Sequence, residues 1–225
     1  MTNIRTGHLK CFPKKLVEYY FKNHFQKLCQ LHRNFSYFVP HPNKIRILEI
    51  GFGEGNFMRY CGKNNIIGID MWRPGVKAMK KEGFEAHYAD VTKGLPFKNS
   101  QFDLVYCEQV IEHISAGKQF VVEIHRVTRK GGTLILRTMD FERCFKGFYA
   151  DYTHTKPYTK TSLFKILEDS GFDVKKIGNG FFPASFLLRR MGNIIVMLPR
   201  PVQQMYIEYI CPFFSHEMYA IAVKR

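Results

Sequence analysis

The hydrophobic positions of this chain change period repeatedly between Lys44 and Lys224. Short runs of β-branched and aliphatic residues predict strands near 45–50, 65–70, 85–89, 102–107, 132–139, 172–177 and 218–224, since a strand buried on both faces reads as a continuous apolar stretch. Between them, apolar residues recurring every three or four positions predict helices near 55–62, 74–82, 117–129 and 160–170. Strand and helix in alternation is the pattern of an α/β sheet whose strands run parallel and whose crossovers are right-handed. Ahead of it, Leu16, Tyr20, Phe25, Leu28, Leu31 and Phe35 recur at helical spacing among lysines. They predict one or two amphipathic helices over 12–39, closed by Pro40 and Pro42, so that residues 1–43 form a helical cap on a domain of residues 44–225. Residues 178–216 then read as an insertion before the last strand. Its apolar run is broken by Arg189, Arg190, Pro199 and Pro201, which suits a membrane surface or packing on the sheet better than a bilayer crossing.

The pattern turns on residues 45–55. Here the first strand ends in Gly51, Gly53 and Gly55 at alternate positions, with Glu49 two residues ahead of them. A strand running into such a turn and then a helix is a nucleotide-cofactor mouth, because glycine alone bends freely through positive φ and lets backbone approach a ligand. The spacing is not G-x-G-x-x-G, for Asn56 takes the third glycine's place, and this speaks against a nicotinamide dinucleotide. Asp70 closes the second strand, nineteen residues past Gly51, where a carboxylate can hold a ribose diol.

The stretch Glu49-Ile50-Gly51-Phe52-Gly53-Glu54-Gly55, followed by a helix, a strand and Asp70, resembles the class I S-adenosylmethionine-dependent methyltransferases. The likeness is to the type 11 group, with its ubiquinone- and menaquinone-type and glycan-tailoring enzymes, and covers about residues 44–177. It implies a Rossmann-like seven-stranded, mostly parallel sheet with helices on both faces and an antiparallel last strand, and S-adenosylmethionine as the cofactor. It also implies that Glu49, Gly51, Gly53, Gly55, Asp70 and Met71 belong to the cofactor site, with Cys107 contributing backbone under the methionine portion. By the same resemblance Asp90 accepts from the adenine amino group and the Val91 amide donates to the ring. An adenine edge needs one acceptor and one donor side by side, which a carboxylate and the next amide supply; the alternative for Asp90 is a helix N-cap. Asp103 is expected to tie the sheet to neighbouring backbone, and His113 to brace or line the site.

Residues 140–159 read as a loop rich in aromatics, leaving the fifth strand where open α/β sheets bind ligands. It is the expected acceptor pocket, with Asp151, Tyr152 and His154 as substrate-loop residues. His154 is the candidate general base, as an imidazole titrates near pH 6.5. Alternatively, Asp151 and His154 pin the loop or cap the following helix, or His154 binds substrate without moving a proton.

At 225 residues and 45% hydrophobic content the chain is long enough for a sizeable core. Its net charge of +15 and pI near 9.6 predict attraction to something anionic, leaving RNA or an anionic membrane surface as contacts beside a plainly basic exterior. Six cysteines at irregular spacing without a C-x-x-C pair suggest neither a disulfide framework nor a zinc site, so reduced thiols and no metal are expected. Without an apolar leader or a run of 18 apolar residues, the expected location is cytoplasmic, peripheral to a membrane at most. The expected reaction is O-methylation of a small-molecule, lipid-linked or glycan acceptor. RNA methylation and a non-catalytic S-adenosylmethionine-binding subunit are the alternatives. The fourth strand runs into Cys107-Glu108-Gln109-Val110, which is unlike the N-P-P-Y turn of base-amine methyltransferases.

Overall fold

The computed structural model describes residue 39, residues 42–179 and residues 215–225. The expected N-terminal cap and nearly all of the expected insertion lie outside the described residues.

Seven strands form one sheet: β1 (Ile47–Ile50), β2 (Ile66–Asp70), β3 (Glu85–Tyr88), β4 (Phe102–Glu108), β5 (Thr128–Met139), β6 (Phe172–Asn179) and β7 (Glu217–Lys224). Their order is β3-β2-β1-β4-β5-β7-β6. The first five pair in parallel, and β7 lies antiparallel between β5 and β6. Among the described residues five α-helices accompany them: α1 (Asn56–Cys61), α2 (Arg73–Lys81), α3 (Gly117–Val127), α4 (Phe141–Phe148) and α5 (Lys160–Glu168).

The apolar runs form strands because the sheet is covered on both faces. Every residue of β1 and β2 is buried. Leu48, Ile50, Val105 and Leu136 point to one face and meet Phe120, Ile124 and Leu163 of α3 and α5. Ile47, Leu104, Tyr106 and Ile135 point to the other and meet Phe57, Met58 and Met79 of α1 and α2. Each such aliphatic side chain contributes about 1.5–3 kcal/mol by leaving water. The helix α5 starts where Thr159 and Ser162 cap each other: the Ser162 amide donates to Thr159 Oγ1 at 3.2 Å and the Thr159 amide to Ser162 Oγ at 2.9 Å. Such a cap stabilises by about 1 kcal/mol.

Two expectations need correcting. Residues 140–159 are not all loop, because α4 occupies their first half. Phe141, Phe145 and Phe148 stand at helical spacing, and Asp140 caps the helix by accepting from the Glu142 amide at 3.3 Å; the aromatic density hid a helical period. The fifth strand begins at Thr128 rather than near 132, and its added residues form a bulge between the pairs Phe102–Thr128 and Leu104–Thr133. As expected, Asp103 ties neighbouring segments together, accepting from the Arg46 amide at 2.8 Å and from Arg129 Nη1 at 2.7 Å. Among the described residues no helix is long and apolar enough to cross a membrane.

Candidate cofactor and acceptor site

Strand register brings the donor-side residues together. Ile50 lies beside both Ile69 and Cys107, so Gly51, Asp70 and Glu108 each follow by one residue, at one end of three adjacent strands. Asp70 is level with Tyr88, and the Ala89 amide donates to its carbonyl at 3.1 Å, which brings Asp90 to the same end. The glycines Gly51, Gly53 and Gly55 take φ of 75°, 52° and 75°. At Gly51 an added Cβ would lie 2.2 Å from Val110 Cγ2, so the loop after β4 packs onto the glycine turn. At Gly53 an added Cβ would meet nothing within 4 Å, which leaves bare backbone facing open space.

Asp70 is buried and holds this turn: Oδ2 accepts from the Gly53 amide and Oδ1 from the Trp72 amide, both at 2.7 Å. Glu49 is also buried, and its Oε2 has no hydrogen-bond partner among the described residues. Burial holds its carboxyl well above the usual range, and the charges of Glu108 and Asp70 push it further. Met71 is largely exposed beside Asp70, and Cys107 is fully buried with its thiol pushed up by burial. Asp90 caps the 3-10 turn over Val91–Lys93, accepting from the Thr92 hydroxyl at 2.6 Å and the Thr92 amide at 3.1 Å. Those bonds hold its carboxyl below the ordinary range.

A second group lies at the same end, past β4 and β5. Gln109 follows β4 with φ of 53° and donates its amide to the Arg137 carbonyl at 2.9 Å. This left-handed residue turns the chain into Ile111–His113, a 3-10 turn over β5. Glu112 there is fully buried: Oε2 accepts from the Thr138 hydroxyl at 2.9 Å, while Oε1 has no hydrogen-bond partner among the described residues. Burial raises its carboxyl to about 7, with the charges of Glu217 and Glu108 adding to the shift. The loop after α4 returns to the same place, because the amides of Thr155 and Lys156 donate to the Glu112 carbonyl at 2.8 and 3.1 Å.

His154 is thereby set 4.8 Å, ring to ring, from His113. Its Nδ1 donates to the Phe148 carbonyl at 2.6 Å, and Asp151 Oδ2 stands 3.8 Å from its Nε2. Asp151 accepts from both the amide and the hydroxyl of Thr153, an arrangement that braces the loop. Tyr152 is 93% exposed among the described residues. The sequence reading passed over Glu112 and Thr138. It also passed over Arg137, fully buried in β5 between Glu108 Oε1 and Glu217 Oε2, each at 2.8 Å. An arginine in the middle of an apolar strand was the available signal, since a buried charge demands partners.

Residues 48–136 match the methyltransferase domain family. The ubiquinone biosynthesis O-methyltransferase of Rickettsia prowazekii is 24% identical over 154 residues, which cover 60% of this chain and 61% of the relative. The malonyl-[acyl-carrier protein] O-methyltransferase of Legionella pneumophila is 30% identical over 135 residues, covering 56% of this chain and 47% of the relative. The chain thus spans about half to three fifths of the length of these curated relatives. A SAM-dependent methyltransferase of Archaeoglobus fulgidus has the same fold, with a TM-score of 0.64 at 21% identity, covering 92% of this chain and 99% of that one. Residues 48–136 thus carry the methyltransferase domain of that family, in the fold of an S-adenosylmethionine-dependent methyltransferase. Its residues fit that cofactor: Gly53 leaves room for a close approach, Asp70 offers a carboxylate beside it, and Glu49 carries an unused buried oxygen suited to an ammonium group.

Proposed function

We propose that this protein uses S-adenosylmethionine to methylate an oxygen of a small-molecule, lipid-linked or glycan acceptor. The observation that carries the reading is the placement of two groups at one end of the sheet: the glycine turn with Asp70, and the Glu112, His113 and His154 group next to it. Glu49, Gly51, Gly53, Asp70 and the backbone near Cys107 would hold the cofactor, with Asp90 and Val91 toward its base. When bound, that cofactor supplies a methyl group already activated on a sulfonium, so the transfer asks mainly for alignment in a dry cleft. The chain's own residues then orient the acceptor. His154 keeps the Nε2 lone pair for a hydroxyl hydrogen, because its Nδ1 hydrogen is committed to the Phe148 carbonyl. The names of the two O-methyltransferase relatives support an oxygen acceptor.

The test is calorimetry with S-adenosylmethionine, its demethylated product and NAD, followed by transfer of labelled methyl to hydroxyl and carboxyl acceptors. Binding of the first two ligands without NAD, together with label in an O-methyl product, is the expected outcome. Failure to bind S-adenosylmethionine overturns the reading. The net charge of +15 favours a second reading, RNA methylation. It predicts RNA binding with a steep salt dependence, and label in RNA rather than in the small acceptors.

A further inference from the structure

We infer that the outward face of α2, together with Tyr88 at the end of β3, is a docking surface for single-stranded RNA. The helix carries Arg73, Lys77, Lys80 and Lys81 and no acidic residue. At 3.6 residues per turn these four fall within an arc of about 100°, away from Val76 and Met79, which are buried against the sheet. All four are exposed, and none of their side chains makes a hydrogen bond or ion pair among the described residues. Lys63 extends the stripe past the C-terminal end of the helix. Its Nζ stands 5.7 Å from the centre of the Phe84 ring and would lie 3.4 Å from a Cβ added at Gly83.

The acids nearby do not cancel this charge. Glu82, which follows the helix, gives both its oxygens to Arg59, at 2.6 and 2.8 Å. Glu85 lies on the opposite face of β3 from Ala86 and Tyr88, beside His87 at 3.4 Å. Arg73, Lys77 and Lys81 follow one another at about 6 Å along the axis, and the whole helix is about 13 Å long. That is the length of about four stacked nucleotides at roughly 3.4 Å each. Like charges fixed in a row without counter-charges repel one another, and a phosphodiester backbone relieves this while releasing its own counterions.

Tyr88 separates a nucleic acid from other anionic partners. It is 44% exposed, and Arg73 Cζ stands 3.9 Å from the centre of its ring. A guanidinium on an aromatic ring is a surface on which unpaired bases stack. An acidic protein would meet the lysines and leave this pair without a role. A helix that lies on a lipid surface needs exposed apolar residues beside its cations, whereas Val76 and Met79 face the sheet. The strand β3 is the edge of the sheet, so α2 and Tyr88 stand at its open margin. The Glu112, His113 and His154 group lies instead past β4 and β5. Docking on α2 is therefore independent of which acceptor receives the methyl group. Its test uses no S-adenosylmethionine, so it can fail separately from the methylation reading.

The test is fluorescence anisotropy of the full-length, tag-free protein with a labelled single-stranded RNA of about twelve nucleotides, repeated over a range of salt concentrations. Binding is expected, with log affinity falling linearly against log salt. The triple variant Lys77→Ala/Lys80→Ala/Lys81→Ala should lose about a hundredfold in affinity at about 0.1 M salt, with a salt slope shallower by about 2. Tyr88→Ala should lose roughly five- to a hundredfold with the slope unchanged, because it removes stacking and not charge. Tyr88→Phe should keep the wild-type affinity. Lys118→Ala/Lys130→Ala/Lys165→Ala removes the same charge at exposed positions elsewhere, and should stay within about threefold of the wild type. Should thermal melts show that Tyr88→Ala is unfolded, the two lysine triples decide the matter. Absence of RNA binding, or an equal loss in both triples, overturns the docking surface. So does tighter binding to phosphatidylserine vesicles than to RNA that the α2 triple abolishes, which would assign the stripe to a membrane.

Discussion

The group proposed to hold the cofactor and the group proposed to meet the acceptor are assembled in different ways. On the donor side, Glu49, the three glycines and Asp70 come from two neighbouring strands and the turn between them. They are held by backbone: positive φ at the glycines, and amides donating to both oxygens of Asp70. On the acceptor side, Glu112, Thr138 and His154 come from three segments that meet only after β4, β5 and the loop beyond α4 are in place. A site made of adjacent chain shows its chemistry as spacing. One made of distant chain shows it only once folded.

The largest effect that separates the two sides is expected from Asp70→Ala. It removes the acceptor of two amides and the carboxylate assigned to the ribose, and should cost about 2–4 kcal/mol of S-adenosylmethionine affinity, roughly 30- to 1000-fold. Calorimetry reads this directly, and unchanged affinity removes Asp70 from the site. His154→Ala should do the reverse, leaving cofactor affinity within about twofold while turnover falls by roughly a hundredfold or more. A matching loss of cofactor affinity in that variant would show that the two sides are not separate.

Within the donor side, Gly51 and Gly53 should differ. Alanine at Gly51 meets both the strain of positive φ and the Val110 side chain, at about 2–4 kcal/mol of stability. Alanine at Gly53 meets only the strain, about 1–2 kcal/mol, because nothing lies within 4 Å of its Cβ. The second variant should therefore melt closer to the wild type yet bind S-adenosylmethionine far more weakly. Denaturant melts beside calorimetry check the pair; equal affinity in Gly53→Ala would mean that the cofactor does not approach there.

Among the described residues all seven strands and four of the five α-helices lie where the hydrophobic periods put them, because β1, β2 and β4 are buried on both faces and their apolar runs have no other explanation. The helix α4 was hidden because Phe141, Phe145, Phe148 and Tyr149 look like loop aromatics until the Asp140 cap sets the period. On the donor side the glycine spacing and Asp70 were legible. The capping role of Asp90 was legible as the alternative to adenine binding, and the Thr92 amide and hydroxyl on its Oδ1 make that cap. On the acceptor side His154 could be singled out, but Glu112 could not. A glutamate after a strand reads as an ordinary polar residue until Thr138 and the amides of Thr155 and Lys156 enclose it.

The smallest effect comes from a charge pair that belongs to neither side and serves as the control. Glu123 on α3 accepts from Arg126 at 2.7 and 2.8 Å and from the Leu95 amide at 2.9 Å, while Arg126 donates to the Phe97 and Leu95 carbonyls. Together they clamp the connection before β4 onto α3. The bond to Arg126 lowers the Glu123 carboxyl from 4.5 to about 2. A depressed folded pKa means that the unfolded chain takes up the proton first as pH falls. The stabilisation is therefore complete above pH 4.5 and is lost between there and about 2. Both side chains are partly exposed, so solvent screening reduces it to about 1–2 kcal/mol. Glu123→Gln should accordingly be less stable than the wild type by that amount at pH 7, with the gap closing as the pH approaches 2. Its affinity for S-adenosylmethionine should match the wild type, and a loss would mean that the clamp reaches further toward the glycine turn than its hydrogen bonds do.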